Sequence, residues 1–376
     1  MAIRMTLLVD SPSKRAHGNA ASRLALGLAE TGEVETTLLC YSTDAAPAWL
    51  PPEVRVERLG VDRVSRSVPH LVRHLRSAKP DVLITRQVHA NLIGLAAAGI
   101  ARARHDWAGK LVLVQDHPIA LSHAANWRDN KWLARIGYRF ADGIISPSPT
   151  VRDDTLKWCG LDPESVALVP NPIPAFEGPL GPPPHSWLRD GEPPVFVHCS
   201  NLMPWKRLDI LIEAFADVSK VADIRLLILG EGVGREAADN RIRQLGISDR
   251  AATLGWVEDP LQFAARACAF VLASDEEGFA QVLTEAMSVG CTVISTDAQG
   301  GGPRFVTEDG HCGILVPRGE KHALAEAMQS ALTEDVRIRY AKLGLERIET
   351  LSPSKCATGL VQFLVKQVGV AASKRH

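Results

Sequence analysis

The stretch from residue 268 to 304 constrains the fold most: CAFVLASDEEGFAQVLTEAMSVGCTVISTDAQGGGPR. Residues 269–273 are an apolar run of strand length, and 274–278 are polar and end in glycine. Residues 281–289 carry a helical apolar set of Val282, Leu283, Ala286, Met287 and Val289. Gly290 stands where a helix C-cap glycine belongs. A second strand at 292–296 is followed by the glycine run 300–302. Strand, loop, short helix and strand make a βαβ unit, so the two strands are expected to be parallel with a right-handed crossover. The loops 274–279 and 297–304 then leave the carboxyl ends of parallel strands, the edge where open α/β sheets bind ligands.

Two carboxylates give this unit chemical potential. Glu277 lies in the loop before the helix and Glu285 eight residues on, inside it. A carboxylate accepts two hydroxyl hydrogen bonds, as from a vicinal diol, and the helix N-terminus between them suits a phosphate. A ligand with hydroxyls at both ends and phosphate in the middle describes a nucleotide-sugar. The spacing alone leaves open that both are solvated surface acids.

The pattern Glu277-Gly278-Phe279-x5-Glu285-Ala286-Met287-x2-Gly290-x2-Val293-Ile294 resembles the Glu-x7-Glu signature of glycosyltransferase family 4. Those enzymes are retaining, use nucleotide-sugars and have the GT-B fold. The resemblance implies two doubly wound, Rossmann-like α/β domains facing across a cleft. It implies that Glu285 binds the ribose hydroxyls and that Glu277 holds the transferred sugar against the Gly278–Phe279 backbone. Ala280, Gln281, Val282 and Leu283, at the helix start, join the donor-binding set. Gly302-Pro303-Arg304 matches a family element whose next residue is usually acidic; here it is Phe305.

A chain of 376 residues exceeds one ordinary core, so two domains are expected. Net charge near −1 argues against a nucleic-acid binder. Seven scattered cysteines without a Cys-x2-Cys pair suggest neither a disulfide framework nor zinc. With no signal-peptide pattern and no long apolar run, a cytoplasmic location is expected. The expected boundaries are 1–175 for an acceptor-binding domain, 176–194 for a Pro/Gly-rich linker and 195–354 for the donor-binding domain. A helix over 355–370 is expected to pack back on the first domain.

In the first half, a strand at 5–9 leads to a loop, 10–19, holding Gly18, and then to a helix over 20–30. No Gly-x-Gly-x-x-Gly follows the strand, so a dinucleotide fingerprint is missing. The resemblance puts Gly18 near the acceptor, although a plain turn glycine reads equally well. The helix over 67–79 carries His70, Arg73, His74, Arg76 and Lys79 on one side; that is a solvated face, or a peripheral membrane contact as the lesser reading. A strand at 110–115 ends in Asp116-His117-Pro118. His117 is preferred over His89 and His123 as the histidine that hydrogen-bonds the donor sugar, with Asp116 as a second, acceptor-side candidate. The aromatic helical run 126–140, with Trp127, Trp132, Tyr138 and Phe140, is read as core or, with Trp107, as an acceptor pocket.

In the second half, a strand at 195–199 precedes Ser200-Asn201-Leu202-Met203-Pro204-Trp205-Lys206-Arg207. The family carries an arginine and, five residues on, a lysine here, both neutralising the leaving diphosphate. Lys206 is present, Asn201 occupies the arginine position, and Arg207 is a candidate substitute. Gly230-Glu231-Gly232-Val233-Gly234 matches the family's glycine loop and needs no nicotinamide. Val257, after Gly255-Trp256, is placed against the nucleotide base. No cofactor or metal is expected; the nucleoside-diphosphate sugar is a co-substrate, with a UDP-sugar favoured. The expected activity is transfer of a hexosyl, aminohexosyl or N-acetylhexosaminyl group to a hydroxyl. The acceptor is a small molecule, such as a natural-product aminocyclitol, or a lipid-linked sugar. The alternatives are an inactive nucleotide-sugar-binding partner subunit and a sugar-nucleotide epimerase on a related scaffold.

Overall fold

The computed structural model describes residues 2–12, 15–41, 44–61, 66–121, 127–176, 178 and 180–370. The chain divides into two compact units, Met1–Ile173 with Leu351–His376, and Pro174–Thr350. The first runs β1 (Ile3–Val9), α1 (Arg15–Thr31), β2 (Val34–Cys40), β3 (Arg55–Arg58), α2 (Ser67–Ala78), β4 (Val82–Arg86), α3 (Val88–Ala103), β5 (Lys110–Val114), α4 (Trp127–Gly137), β6 (Gly143–Ser146), α5 (Pro149–Cys159) and β7 (Val166–Leu168). The second runs β8 (Val195–Cys199), α6 (Leu208–Val218), β9 (Arg225–Leu229), α7 (Arg235–Gln244), β10 (Ala251–Gly255), α8 (Leu261–Ala264), β11 (Ala269–Leu272), α9 (Gln281–Ser288), β12 (Val293–Thr296), α10 (Gly302–Val306), β13 (Ile314–Val316), α11 (Lys321–Ser330) and α12 (Glu334–Thr350). The chain then returns to the first unit as α13 (Pro353–Lys366).

Both sheets are parallel throughout and doubly wound. The first has strand order β3-β2-β1-β4-β5-β6-β7, the second β10-β9-β8-β11-β12-β13. Parallel strands covered on both faces read as continuous apolar runs, and β1 shows why. Met5, Leu7 and Val9 enter one core and Leu8 the other. The first core includes Cys356, Leu360, Phe363 and Leu364 of α13. The second unit's central helix, α6, is almost wholly buried, Leu208 to Val218, against β8, β9 and α11.

Several expectations change. Residues 174–194 belong to the second unit and contain a short 3-10 turn, Ser186–Leu188. α1 begins at Arg15, five residues before its apolar stripe, so Gly18 lies inside the helix and not in a loop. The 297–304 segment is a loop only to Gly301; α10 starts at Gly302. Among the described side chains of the aromatic run Tyr138 is buried while Trp132 and Phe140 are exposed, so these three are neither all core nor one pocket; the side chain of Trp127 lies outside the described residues. Trp107 is buried before β5, at the amino edge of the sheet, with its indole N–H donating to the Pro80 carbonyl at 2.6 Å. It therefore lines nothing with the helical run that follows β5. Among the described residues no helix is long and apolar enough to cross a membrane.

Candidate active site

In the second sheet the strand order reverses between β8 and β11. At such a switch point the two following loops diverge and open a crevice at the carboxyl edge. The β8 loop ends in a 3-10 turn, Pro204–Lys206. The β11 loop carries Ser274 to Ala280 into α9, and backbone bonds tie it to its neighbours. The Asp275 N–H donates to the Trp205 carbonyl at 2.7 Å, Glu277 N–H to Gln299 O at 2.8 Å, and Gly302 N–H to Glu277 O at 3.1 Å.

This lacing brings together two residues 71 positions apart: Lys206 Nζ donates to Glu277 Oε1 at 2.5 Å. The Ser274 hydroxyl donates to the same oxygen at 2.7 Å. The lysine side chain is 14% exposed and the glutamate 9%, so the charge-assisted bond lies largely away from water. Glu277 Oε2 has no hydrogen-bond partner among the described residues, leaving an anchored carboxylate with one oxygen to offer. Glu285 lies one turn into α9, half-buried, taking a 3.3 Å bond from Gln281 Nε2. Gln281 and Leu283 are buried and Val282 is half-buried. Ala280 and Arg207 begin α9 and α6 with φ of 63° and 49°. Non-glycine residues held left-handed cost about 1–3 kcal/mol each and cluster at functional sites.

Arg207 does not turn its charge outward. Its guanidinium bonds Asp209 at 2.9 Å and Asp275 at 3.2 Å, clamping the loop that carries Lys206. Asn201 is exposed. The loop around it is shaped by the glycine motif after β9. A Cβ on Gly230, whose φ is +123°, would lie 1.8 Å from the Ser200 carbonyl oxygen. The Leu202 N–H donates to Glu231 O at 2.9 Å and the Gly234 N–H to Leu202 O at 2.7 Å. This glycine motif is therefore a mould for the Lys206 loop. Val257 follows the edge strand β10 and is half-exposed. Phe305 packs on Phe279, ring centroids 6.2 Å apart, with the Arg347 guanidinium 4.9 Å from the Phe305 centroid.

Sequence reasoning missed Ser274, Asp275 and His198. The signal for His198 was a polar residue interrupting the apolar strand VFVHC. His198 is fully buried. Its Nδ1–H donates to the Val271 carbonyl at 2.9 Å, which leaves Nε2 to accept the Ser200 hydroxyl at 2.8 Å. Burial, chiefly, lowers its pKa from 6.5 to about 4. Between those values the unfolded chain takes up a proton that the folded chain refuses. Stability is therefore expected to fall as pH drops from 6.5 to 4, by up to about 3 kcal/mol, with no contribution from this group above that window. Urea unfolding at pH 7 and pH 5 of wild type and His198→Gln checks this; equal losses in both would refute it. The neighbouring Cys199 thiol is pushed up to about 12, first by burial and then by the Glu285 charge, so it is no thiolate nucleophile.

In the first sheet the order reverses between β1 and β4. Arg86, closing β4, bonds both oxygens of Asp116 at 2.9 and 2.5 Å and Asn171 Oδ1 at 2.8 Å, all three residues buried. Asp116 is thus turned into the protein, contrary to its reading as an acceptor contact. His117 beside it is exposed. Its backbone carbonyl accepts from Gln115 Nε2 at 2.5 Å, and Gln115 Oε1 accepts from the Tyr138 hydroxyl at 2.7 Å. His89 lies 3.5 Å from Asp10, and His123 is outside the described residues. An open cavity of about 1110 Å³ lies at the opposite, amino edge of this sheet. Arg4 and Asp81 within it neutralise each other at 3.1 Å. Among the described residues no three His, Cys, Asp or Glu side chains group as metal ligands would.

Residues 184–345 match the family model described as glycosyl transferases group 1, and residues 18–175 that described as glycosyltransferase family 4. The chain belongs to glycosyltransferase family 4. This glycosyltransferase is a hexosyltransferase with the two parallel-sheet domains of the GT-B fold. It is 25% identical over 339 residues to the lipopolysaccharide core biosynthesis glycosyltransferase LpsE of Rhizobium meliloti, covering 86% of this chain and 88% of that protein. It is 26% identical over 243 residues to a Campylobacter jejuni N-acetylgalactosaminyltransferase acting on a diphospho-undecaprenol-linked sugar, 63% of each chain. The solved structure of Anabaena Alr3699/HepE in complex with UDP and glucose superposes with a TM-score of 0.78 at 20% identity, covering 96% of this chain and 99% of that one.

Proposed function

We propose that this glycosyltransferase moves a hexosyl group from a nucleoside-diphosphate sugar to a hydroxyl acceptor, with retention at the anomeric carbon. The observation that carries the reading is the anchored Glu277, fixed through one oxygen by Lys206 and Ser274 at the β8/β11 switch point. Glu277 Oε2 accepts sugar hydroxyls against the Gly278, Phe279 and Ala280 backbone, and Glu285 takes the ribose diol. Lys206 and the first turn of α9, Gln281 to Leu283, meet the charge of the departing diphosphate. Arg207 positions Lys206, Asn201 lies beside the phosphates, and Val257 borders the base. The C1–phosphate bond breaks, the acceptor oxygen bonds C1 from the same face, and the leaving phosphate oxygen takes the acceptor's proton. In the first unit His117 hydrogen-bonds the sugar, and Asp116, held by Arg86, fixes its loop. No metal or cofactor enters this scheme.

A UDP-sugar is the favoured donor, supported by the UDP and glucose in the HepE structure. The relatives' names favour a saccharide acceptor, in one case lipid-linked, over an aminocyclitol. Titration with UDP, GDP, ADP and dTDP tests the donor site. One diphosphate is expected to raise the melting temperature by mass action. Glu285→Ala is expected to weaken its binding by about 10- to 100-fold, the loss of charged hydrogen bonds to two hydroxyls. A shift with none of the four, or one unchanged by Glu285→Ala, overturns the assignment.

A further inference from the structure

The loop that carries His117 is fixed from beneath. Polar side chains from several elements meet in the core under the carboxyl edge of the first sheet. Thr85 lies in β4, Asn91 near the start of α3, Gln115 directly after β5, and Tyr138 in the 3-10 turn after α4. Their exposures are 0%, 0%, 2% and 1%. The Thr85 hydroxyl donates to Asn91 Oδ1 at 2.7 Å. Asn91 Nδ2 donates to the Val114 carbonyl at 3.0 Å and to the Tyr138 hydroxyl at 2.9 Å. The Tyr138 hydroxyl donates to Gln115 Oε1 at 2.7 Å, and Gln115 Nε2 donates to the His117 carbonyl at 2.5 Å.

The direction of each bond in this chain is dictated by its neighbours. A backbone carbonyl only accepts, so Val114 takes the amide nitrogen of Asn91 and leaves Oδ1 to Thr85. The tyrosine hydroxyl accepts from Asn91 and gives its one proton to Gln115 Oε1. That turns Gln115 Nε2 toward His117. Gly94 makes room for the arrangement. A Cβ there would lie 2.6 Å from Thr85 Cγ2, so the glycine lets α3 lie close enough to β4 for Asn91 to reach β5. A fully satisfied buried network rigidifies what it touches, and this one ends on a single backbone carbonyl. The residues on either side of His117 are held as well. Asp116 is gripped by Arg86, and the Asp154 carboxylate takes the Ile119 N–H at 2.5 Å. His117 itself is exposed.

We propose that Gln115 is a positioning residue for sugar transfer, oriented by Tyr138, Asn91 and Thr85, and that it acts by fixing the His117 backbone and so aiming the imidazole. The inference rests on the reading of His117 as a contact of the donor sugar. A displacement of about 1 Å at such a group costs about 10²-fold in rate, so an anchor on the residue's own carbonyl bears directly on catalysis. A network that served the fold alone would behave differently. Its loss would loosen the core by the same amount whether or not an imidazole stands at position 117.

The test is a double-mutant cycle on UDP release from UDP-glucose by the full chain, with water as the acceptor. His117→Ala is expected to lower kcat about 100-fold. Gln115→Met keeps the length of the side chain, removes its amide and is expected to lower kcat about 10- to 100-fold. In the His117→Ala background Gln115→Met is expected to add less than about 3-fold, because the group it aims is already gone. Its effect on melting temperature is expected to be the same in both backgrounds, which separates lost aim from lost packing. Where Gln115→Met does not fold, Tyr138→Phe carries the same cycle: it keeps the ring in the core and removes only the hydroxyl that orients Gln115. Equal losses of kcat in the two backgrounds make the network purely structural and overturn the proposal, as does wild-type kcat in Gln115→Met. Wild-type kcat in His117→Ala, or no UDP release by the wild type, is a different failure: it removes the reading of the donor site, and the inference with it.

Discussion

Lys206→Met is expected to lower the transfer rate by about 10²–10³-fold, the usual loss when one preorganised group facing developing charge is removed. The same change breaks a pair that is 14% and 9% exposed and leaves Glu277 with Ser274 alone. Stability is therefore expected to drop by about 3 kcal/mol, the cost of a buried charge without its counterion. A second variant separates the two effects. Lys206→Met with Glu277→Gln removes both charges, so most of the stability returns while transfer stays lost. Steady-state rates and urea midpoints on both proteins decide the matter. A single variant within a few-fold of wild-type rate would show that Lys206 does not serve the leaving group.

Gly302→Ala is expected to cost about 10²-fold in transfer, the penalty for displacing a reacting group by about 1 Å. Gly302 opens α10 with ordinary helical backbone, where local propensity favours alanine. The obstacle is the neighbour. A Cβ there would lie 2.6–2.7 Å from the N, Cα and C of Phe279, and backbone cannot rotate aside. The Gly278–Phe279 segment must shift, carrying Glu277 with it. Overpacking is expected to lower stability by about 1–3 kcal/mol. Gly359→Ala, in an exposed turn of α13 with nothing within 4 Å, serves as the control and is expected to be neutral or stabilising. Wild-type transfer by Gly302→Ala would mean that the loop tolerates movement and that its backbone does not hold the sugar.

The parts of this molecule with strong periodicity were legible. The run AFVLA, the helix QVLTEAMS and the strand VFVHC lie where their apolar spacing put them, to within a residue. α7 was not legible because REAADNRIRQ buries only Ala238 and Ile242, too thin a stripe to stand out from solvated sequence. α10 opens with glycine and proline, which read as loop. α1 begins in polar residues that local pattern cannot tell from the preceding loop. At the site, the glutamates and Lys206 were legible through a motif, but their pairing was not. A contact between residues 71 apart is decided by sheet order. The partner of Arg207 was hidden for the same reason, since Asp275 reaches it from another strand's loop.

The return of α13 to the first unit has a consequence for synthesis. α1 and α13 pack along one another, and the core beneath β1, β2 and β4 contains Leu360, Phe363 and Leu364. A growing chain that has finished β7 still lacks one wall of its first hydrophobic core. That wall emerges only after the whole second unit has been translated, on the order of ten seconds or more later at ribosomal speeds. During that interval the apolar side of the first sheet is open to chaperones and to other nascent chains. Losing the last helix would for the same reason damage the unit made first and spare the one made second.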